Sequence, residues 1–502
     1  MRLEPLAALL SAAVLLPPAQ VYSQSPAAKP TGHLTASNRV DDELKGPARL
    51  LLDLSRAVPP EFQADVLTRI AASPLLSETR RRARVIEEAF EVASNAQNQL
   101  RMDALPGTDV DSRSGYLALA YEAGLDSLSL KCRAVRALIP VNKPAAIRLF
   151  GDVPIPQPRP LTCEDRLVFD LDAYYSLLAE IVRLPLTGEE RRGEKPFDLM
   201  MREISGIVSP AQVPLIVRAV REAAASGRDM EYFIAALESA LAGIAIDYRS
   251  FSASGLELAR QIGLLSDTCR LRGVSNVAFL GAARKYFIRE LQGTRCGDSA
   301  ANGGRASTLV RVFNDGIRAT ALPGNTVLPE ITESEAVPDK IEGAGPSDLL
   351  WTDPMSNRLE RQVRDLRGFR GKLIDDEWRG RLLELTSIVA DWKPTDDMSA
   401  LDYFHEKCVL LRSLLDVAPD AASREPVLGA YFAFLDQWDF QQNRIEWFLH
   451  AREILTILGS AGGPMRSTGI DAELNSVRNP VLALYIKLDA LIPADRVRPA
   501  VP

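Results

Sequence analysis

The apolar positions of this chain follow a helical pattern, which is clearest between Ser209 and Asp247. Two segments there carry apolar side chains at alternating spacings of three and four residues, which places them on one face of a helix. These residues are Val213, Ile216, Val217, Val220, Ala223 and Ala224 in the first segment, and Phe233, Ile234, Leu237, Leu241 and Ile244 in the second. Neither helix buries its apolar face alone, so each is expected to pack on the other and on neighbouring helices.

The ends of these two helices are predicted from residues with capping chemistry. Ser209 offers a side-chain oxygen to the N–H groups of the first turn, and Pro210 suits the first helical position because it has no N–H to lose. Gly227 enters the left-handed region without steric cost and therefore predicts the end of the first helix. Asp229 is the predicted cap of the second helix.

The same helical spacing recurs along most of the chain, whereas the alternation typical of strands is nearly absent. We therefore predict an all-α protein: an irregular array of helical hairpins, α-solenoid-like, followed by a C-terminal helical bundle. Pro, Glu and Gly are frequent from Leu322 to Gly345, where the helical spacing fails. The expected organisation is a helical-repeat-like domain at 42–320, a linker at 321–350, a helical domain at 351–491 and a tail at 492–502.

One part of the array resembles a known repeat family. The run Ala134-Val135-Arg136-Ala137, followed by Pro144-Ala145-Ala146, is similar to the second half of a tetratricopeptide repeat. The Trp, Leu-Gly and Tyr positions of that repeat are absent upstream, and no period of about 34 residues recurs elsewhere. The resemblance implies stacked helical hairpins of tetratricopeptide or HEAT type, without membership of either family.

The N-terminus has the pattern of a secretory signal peptide. Arg2 precedes the apolar run Leu6–Leu16, and small residues end at Ser23. We expect a signal peptide over residues 1–23 that is cleaved after Ser23, a disordered lead over residues 24–41, and a periplasmic or secreted protein. A retained membrane anchor is the alternative, although the apolar run is short for the ~30 Å of hydrocarbon that it would have to span. No later transmembrane segment is expected.

The net charge argues against nucleic acid as a partner, and the predicted export indicates that cysteines form disulfide bonds. The net charge is −7 over 502 residues, so no basic field favours nucleic acid. In an oxidising compartment cysteines form disulfide bonds, and the local pairing predicted here is Cys132–Cys163 and Cys269–Cys296, with Cys408 left free. Each such bond closes a loop of about thirty residues and would contribute ~3 kcal/mol. Spacing alone leaves other pairings open.

The segment His405-Glu406-Lys407-Cys408 places an imidazole and a thiol three residues apart on one helical face. This spacing suits two zinc ligands or a Cys/His nucleophile pair. The remaining histidines are His33 and His450, so neither further ligands nor an orienting third group can be named. The favoured interpretation is a partly buried helix with an inert cysteine, and no metal or cofactor is expected.

Carboxylates are concentrated near Cys163, at Glu164, Asp165, Asp170 and Asp172. Paired carboxylates hydrolyse glycosidic bonds or hold calcium. With 66 Asp and Glu in the chain, however, helix capping and solvation are the favoured explanation for such a cluster. The architecture is similar to that of the soluble lytic transglycosylases, which combine exported helical arrays with cell-wall chemistry, but their catalytic glutamate motif is not found here.

An arginine recurs every three residues near the start of the predicted C-terminal domain. On a helix, each of these arginines lies about 60° further around the axis than the one before it. The row consists of Arg358, Arg361, Arg364, Arg367 and Arg370. It is a candidate surface for an acidic partner or an anionic envelope polymer. The alternative is a solvated face that Glu360 and Asp365 partly neutralise.

These observations leave three functional hypotheses. The preferred one is a non-enzymatic, exported helical scaffold that binds protein partners in the cell envelope. The alternative is a carboxylate-dependent cell-envelope hydrolase on a helical scaffold, which requires two of the named groups to converge in a pocket. The third is a purely structural protein, which would associate with itself.

Overall fold

The structure is a computed structural model, and it describes residues 46–110, 112–185, 196–223, 226–297, 301–320, 328–343, 353–369, 375–460 and 477–492. The predicted signal peptide, the lead over 24–41, almost all of the predicted tail and Arg370 lie outside the described residues. All of the described residues belong to one compact unit.

The prediction of an all-α fold is confirmed, with 19 α-helices among the described residues. They are α1 (Pro47–Ser55), α2 (Pro60–Ala72), α3 (Thr79–Ala93), α4 (Arg113–Tyr121), α5 (Ser127–Leu138), α6 (Lys143–Gly151), α7 (Asp172–Val182), α8 (Pro196–Ser205), α9 (Val213–Ala223), α10 (Gly227–Gly243), α11 (Tyr248–Leu271), α12 (Val277–Gln292), α13 (Ala301–Thr320), α14 (Pro354–Phe369), α15 (Asp375–Asp391), α16 (Ala400–Val417), α17 (Ala421–Gln437), α18 (Arg444–Ser460) and α19 (Pro480–Leu491).

The strands of the described chain are short and form two small sheets. Strands β1 (Arg101–Ala104) and β2 (Leu167–Asp170) pair antiparallel, with Arg101 opposite Asp170. Strands β3 (Arg295–Gly297) and β4 (Ile341–Gly343) pair parallel, with Arg295 opposite Ile341. Both sheets connect segments that are distant in sequence, so they tie loops to the helices rather than form a layer.

The helix pair between Ser209 and Asp247 forms largely as the apolar spacing predicts. Ser209 accepts the N–H of Ala211 at 3.3 Å, and Gln212 completes a capping box with the N–H of Ser209 at 3.0 Å. The predicted apolar residues that the structure describes are buried, namely Val213, Ile216, Val217, Val220, Ala223, Phe233, Ile234, Leu237, Leu241 and Ile244.

The boundary between these two helices differs from the prediction. Gly227 is the first residue of α10 rather than the end of the preceding helix. The cap is Ser226, whose hydroxyl accepts the N–H of Asp229 at 3.1 Å, so Asp229 lies in the first turn. Ser226 reaches that N–H because its backbone is extended (φ −122°, ψ 159°), as is usual for a capping residue.

The helices of the first part pack in two alternating rows. Helices α3, α5, α7, α9, α11 and α13 contact one another in that order, and α8, α10 and α12 form a second row. This alternation is the local packing expected of stacked helical hairpins. The solenoid-like form of the array as a whole stays a prediction.

The last helices pack against the first ones. Helix α18 contacts α4, and α19 contacts α1. Asp65 of α2 accepts a hydrogen bond from the Tyr485 hydroxyl of α19 at 2.6 Å, and Glu61 of α2 pairs with Arg444 of α18 at 3.0 Å. Residues of both predicted domains therefore share a core, and the division at 321–350 stays a prediction.

Residues 328–343, the described part of the predicted linker, are folded onto α12 and α13. A 3-10 turn at Glu333–Ala336 lies on α12, where Arg284 pairs with Glu335 at 2.7 Å. Ile331 exchanges two hydrogen bonds of 2.9 Å with the Asn314 side chain of α13. This segment is therefore fixed to the helices that precede it.

Candidate functional site

His405, Glu406, Lys407 and Cys408 lie in α16, and all four side chains are buried. Successive residues of a helix point about 100° apart, so four buried residues in a row require neighbours on all sides of the helix. Helices α14, α15 and α17 contact α16, and the His405 side chain reaches α4 and α18. The segment is therefore an interior part of the C-terminal helices.

Two histidines and two tyrosines form a cluster, to which α16 contributes His405. His405 Nδ1 hydrogen-bonds the Glu446 carboxylate of α18, and His450 Nδ1, one turn later, lies 2.7 Å from the Tyr431 hydroxyl. The Tyr116 ring of α4 lies edge-on to His405 at 5.1 Å and stacks on His450 at 6.3 Å between ring centroids. Spacing in the sequence does not reveal this cluster, because four helices contribute to it.

The electrostatics of this cluster oppose nucleophilic catalysis. Burial raises the pKa of Cys408 well above its usual value, so the thiol stays protonated at neutral pH. Burial lowers the pKa of His450 to about 4, which leaves a neutral imidazole of low basicity. Its Nε2 atom is buried without a hydrogen-bond partner among the described residues. A thiol that stays protonated fits an inert cysteine rather than the nucleophile of the predicted His405–Cys408 pair, and His450 fits a packed imidazole.

Lys407 has a structural role at the end of α15. Its ammonium group donates to the carbonyls of Ala390 at 2.8 Å and Trp392 at 2.9 Å, and to the Tyr403 hydroxyl at 2.9 Å. Burial lowers the pKa of Lys407 to about 8. The C-terminal end of α15 is the negative end of its helix dipole, which favours a cation. All three N–H donors of Lys407 are used at this end of the helix. Lys407 therefore caps a helix and has no donor left for a ligand.

The carboxylates predicted near Cys163 do not form an acid/base pair. Glu164 is exposed. Each of the three aspartates forms an ion pair with a different arginine: Asp165 with Arg159, Asp170 with Arg101, and Asp172 with Arg218. Separate arginines neutralise the three aspartates, and this arrangement suits structural ion pairs better than a hydrolytic site.

A different carboxyl pair, Asp247 and Glu290, lies close to Cys163 and was not predicted. The Asp247 carboxylate caps α11 by accepting from the Ser250 N–H at 3.1 Å and hydroxyl at 2.7 Å, and it accepts the Leu161 N–H at 3.0 Å. Glu290 of α12 accepts the Asp247 N–H at 3.1 Å, and its Oε1 atom is buried without a partner among the described residues. The sequence identifies Asp247 as a possible helix cap, because it directly precedes a helix. It does not reveal that Asp247 contacts Glu290, which lies 43 positions later.

Burial controls the ionisation of Glu290. It raises the pKa of Glu290 to about 7, and the neighbouring charge of Asp247 adds to the shift, whereas the Asp247 N–H and Arg289 oppose it. A carboxyl with such a pKa exchanges a proton near neutral pH. Glu290 thus has one property of a general acid, although the chain's own donors already engage the neighbouring Asp247.

The predicted disulfide pairing is wrong. The structure joins Cys163 to Cys296, with Cα atoms 5.3 Å apart, whereas Cys132 and Cys269 are free and buried. The physical reason is that Cys132 and Cys269 lie on core-facing sides of α5 and α11, while the bonded pair lies outside the helices. Arg249 holds this region in place by donating to the Cys163 carbonyl at 3.0 Å. Cys408 is free, as predicted.

The arginine row lies on α14, where Arg358, Arg361, Arg364 and Arg367 are all exposed. The opposite face packs inward through Ser356, Leu359, Val363 and Leu366. Arg364 pairs with Glu360 at 2.7 Å, and Arg361 donates to the Asn357 carbonyl at 3.2 Å. Neither Arg358 nor Arg367 has a hydrogen bond or ion pair within the part of the chain that is described.

No protein-family model matches the chain, and no curated protein matches it. Among the described residues, no three His, Cys, Asp or Glu side chains are grouped to hold a metal ion. The described helices include none with the length and apolar character needed to cross a membrane.

Proposed function

We propose that this chain is an exported helical scaffold that binds protein partners in the cell envelope. The observation that carries the proposal is the row of exposed arginines on α14, two of which have no partner within the described chain. Guanidinium groups bind carboxylates in a fixed geometry, and they are enriched where proteins recognise acidic partners. A surface with exposed guanidinium groups is therefore suited to binding an acidic partner.

The buried ionisable groups support a structural rather than a chemical role for the interior. Asp65 accepts from Arg133 at 2.8 Å and from Tyr485 at 2.6 Å, and Lys407 uses all its donors within the protein. Burial opposes ionisation of Asp65, but the charges of Arg133 and Arg69 outweigh it and lower the pKa of that carboxyl. These groups connect helices to one another and leave little capacity for a substrate.

Export is supported by the N-terminal sequence and by the disulfide bond. The basic Arg2, the short apolar run and the small residues before position 24 have the order of a secretory signal. A disulfide between Cys163 and Cys296 persists in oxidising compartments and is rare in the cytosol. The alternating helical rows offer the extended contact area that helical arrays use for binding.

The test is crosslinking of the tagged mature protein in its native envelope, followed by mass spectrometry of the captured species. The scaffold hypothesis expects a reproducible protein partner in stoichiometric amount. Capture of further copies of the same chain alone would favour the purely structural hypothesis instead. Recovery of glycan without any protein would count against both.

A cell-envelope hydrolase is the second candidate, and the Asp247–Glu290 pair favours it. A carboxyl whose pKa lies near 7, beside a second carboxylate, is the combination that glycosidases use as acid and base. The test is hydrolysis of purified cell-wall glycan by the wild-type protein and by Glu290→Gln. A hydrolase would lose nearly all activity in the variant while keeping its fold, and an inactive wild-type protein would exclude the hypothesis.

A further inference from the structure

The connection from α6 to β2 contains a run of alternating prolines, called here the proline segment and formed by residues 153–160. Its sequence is Val153-Pro154-Ile155-Pro156-Gln157-Pro158-Arg159-Pro160. Every residue either is a proline, whose ring fixes φ at about −65°, or precedes a proline and is thereby restricted to extended backbone. The segment lies in neither a helix nor a strand, and no cis peptide bond occurs among the described residues. These constraints favour a polyproline II helix, which has about three residues per turn.

The burial of the proline segment repeats every three residues, as expected for a polyproline II helix that lies on the protein surface. Pro154, Gln157 and Pro160 are exposed and form one row, called here the proline ridge. The other residues of the segment are buried or half-buried, except Arg159. A strand would place every second residue in the same environment, but Pro154 is exposed and Pro156 is buried. The pattern therefore indicates a polyproline II helix with one side in solvent.

Contacts on its inner side hold the proline segment against the helices. The Gln212 side chain donates to the Pro156 carbonyl at 3.0 Å. Directly after the segment, the Leu161 N–H donates to Asp247 at 3.0 Å, and Cys163 forms the disulfide bond. These contacts leave the proline ridge on the outside. A surface that is already fixed in its bound shape loses little conformational entropy when a partner binds.

The proline ridge presents rings rather than charge. Arg159, beside the ridge, pairs with Asp165 and donates to the Pro160 carbonyl at 3.2 Å. Pro154 and Pro160 are six residues apart, so they lie about 19 Å apart on a polyproline II helix that rises about 3.1 Å per residue. Grooves lined with aromatic side chains recognise such helices, because proline rings pack on flat aromatic faces.

We propose that the proline ridge docks in an aromatic-lined groove of a partner protein, an inference that rests on the scaffold function proposed above. The rings of Pro154 and Pro160 would occupy two aromatic pockets, with Gln157 between them. Tyr and Trp side chains of such a groove carry O–H and N–H donors, which suit a segment whose prolines offer carbonyl acceptors but no N–H. A charged polymer fits less well, because the Arg159 charge is already paired with Asp165.

The first measurement replaces Gln157 with a photo-crosslinking residue that has a short diazirine side chain, in the tagged mature chain in its native envelope. Irradiation should join this position to a partner protein, and mass spectrometry should place the link beside aromatic residues of that partner. Excess synthetic peptide of residues 153–161 should reduce the product by about tenfold, because a proline-rich peptide adopts the same polyproline II helix. A control peptide with alanine at every proline should compete weakly.

The variant Pro154→Ala/Pro160→Ala, made in the same photo-crosslinking chain, should lower the amount of product by about tenfold or more, since it removes both rings that enter the groove. The matched control is Pro74→Ala/Pro394→Ala, which changes two exposed prolines outside the segment and should leave the product unchanged. Thermal unfolding of both variants checks that the fold is retained. Equal loss in the two variants, or equal competition by the two peptides, would overturn the proposal.

The identity of the crosslinked product separates the docking proposal from other uses of the ridge. Product that contains only further copies of this chain would assign the ridge to self-association, and product with glycan but no protein would assign it to a polymer. Either result, or no product at position 157, would overturn the docking proposal. The scaffold function is tested separately by the envelope crosslinking described above. A captured partner that is retained by Pro154→Ala/Pro160→Ala would leave the scaffold function standing while the docking proposal fails.

Discussion

Two buried residues of this protein have their ionisation set mainly by desolvation. Glu290 has a pKa raised to about 7 and His450 a pKa lowered to about 4, and in both cases burial is the largest cause. Both shifts favour the uncharged form. Their effects on stability run in opposite directions with pH, because protonation removes the charge of a carboxyl and creates the charge of an imidazole. These two residues are therefore expected to make the stability of the protein depend on pH.

Glu290→Gln should abolish a loss of stability that the wild-type protein shows as pH rises. Between pH 4.5 and about 7 the folded carboxyl holds its proton more often than the unfolded one, so stability falls as pH rises through this window. The variant should therefore be more stable than wild type by about 1–3 kcal/mol near pH 8 and about equal near pH 4.5. Urea unfolding at both pH values measures the difference.

Exposed Glu164→Gln is the matched control for this experiment, and its stability should follow that of the wild-type protein at both pH values. A Glu290→Gln variant that is less stable than wild type near pH 8 would contradict the prediction. That result would mean that the ionised carboxylate stabilises the Asp247 cap.

Individual elements pack through aromatic side chains where the first and last helices meet. Phe62 of α2 has its ring centroid 6.2 Å from Phe440, 6.3 Å from Trp447, 5.2 Å from Phe448 and 6.3 Å from Tyr485. These partners lie in α18, in α19 and in the turn before α18. Aromatic contacts at these distances add to the apolar area that the residues bury. Phe62 thus connects α2 to the C-terminal helices.

Phe62→Ala should destabilise the protein by about 3–5 kcal/mol, because it removes a fully buried ring and leaves a cavity among four aromatic neighbours. Phe369→Ala, at a site that is 40% exposed, makes the same chemical change and should cost less than about 1 kcal/mol. Chemical unfolding of both variants gives the comparison. Similar losses in the two variants would show that α2 does not depend on the C-terminal helices.

At the scale of the whole molecule, contacts between distant parts of the chain hold the described unit together. The Cys163–Cys296 bond spans 133 residues, and Arg69 of α2 pairs with Asp489 of α19 across 420 residues. Both connections restrain the folded chain, but only the covalent bond also restricts the unfolded chain, where the entropy of closing a loop grows with its length. The disulfide is the strongest of these restraints.

The variant Cys163→Ser/Cys296→Ser should be less stable than the oxidised wild-type protein by about 3–5 kcal/mol, given the length of the loop that the bond closes. Adding a reductant should lower the stability of wild type towards that of the variant and leave the variant unchanged. Thermal unfolding with and without dithiothreitol measures both. A variant that responds to reductant as wild type does would place the stabilising bond at other cysteines.

Non-reducing peptide mapping is the direct check on connectivity. Peptides that contain Cys163 and Cys296 should be released as one linked species, while Cys132, Cys269 and Cys408 should be alkylated only after unfolding because all three are buried. A linked species that contains Cys132 or Cys269 would contradict the structure.

The sequence by itself determined the helices, their apolar faces and several of their ends. The spacing of Val213, Ile216 and Val217 identifies a core-facing side because 3.6 residues per turn is a local property of the backbone. The cap at Ser209 and the exposure of the arginines on α14 follow from the same local geometry. Cys408 is free within a helix as predicted, although the local pairing from which this was inferred is wrong.

Only the tertiary structure decided which distant residues meet. The bond from Cys163 to Cys296, the contact of Asp247 with Glu290 and the cluster around His450 join groups from different elements. Sequence spacing carries no information about such long-range contacts, because they depend on how whole helices pack. The shifted pKa values depend on burial for the same reason. A residue's environment is therefore a property of the packed molecule, whereas its position on a helix face is a property of the sequence.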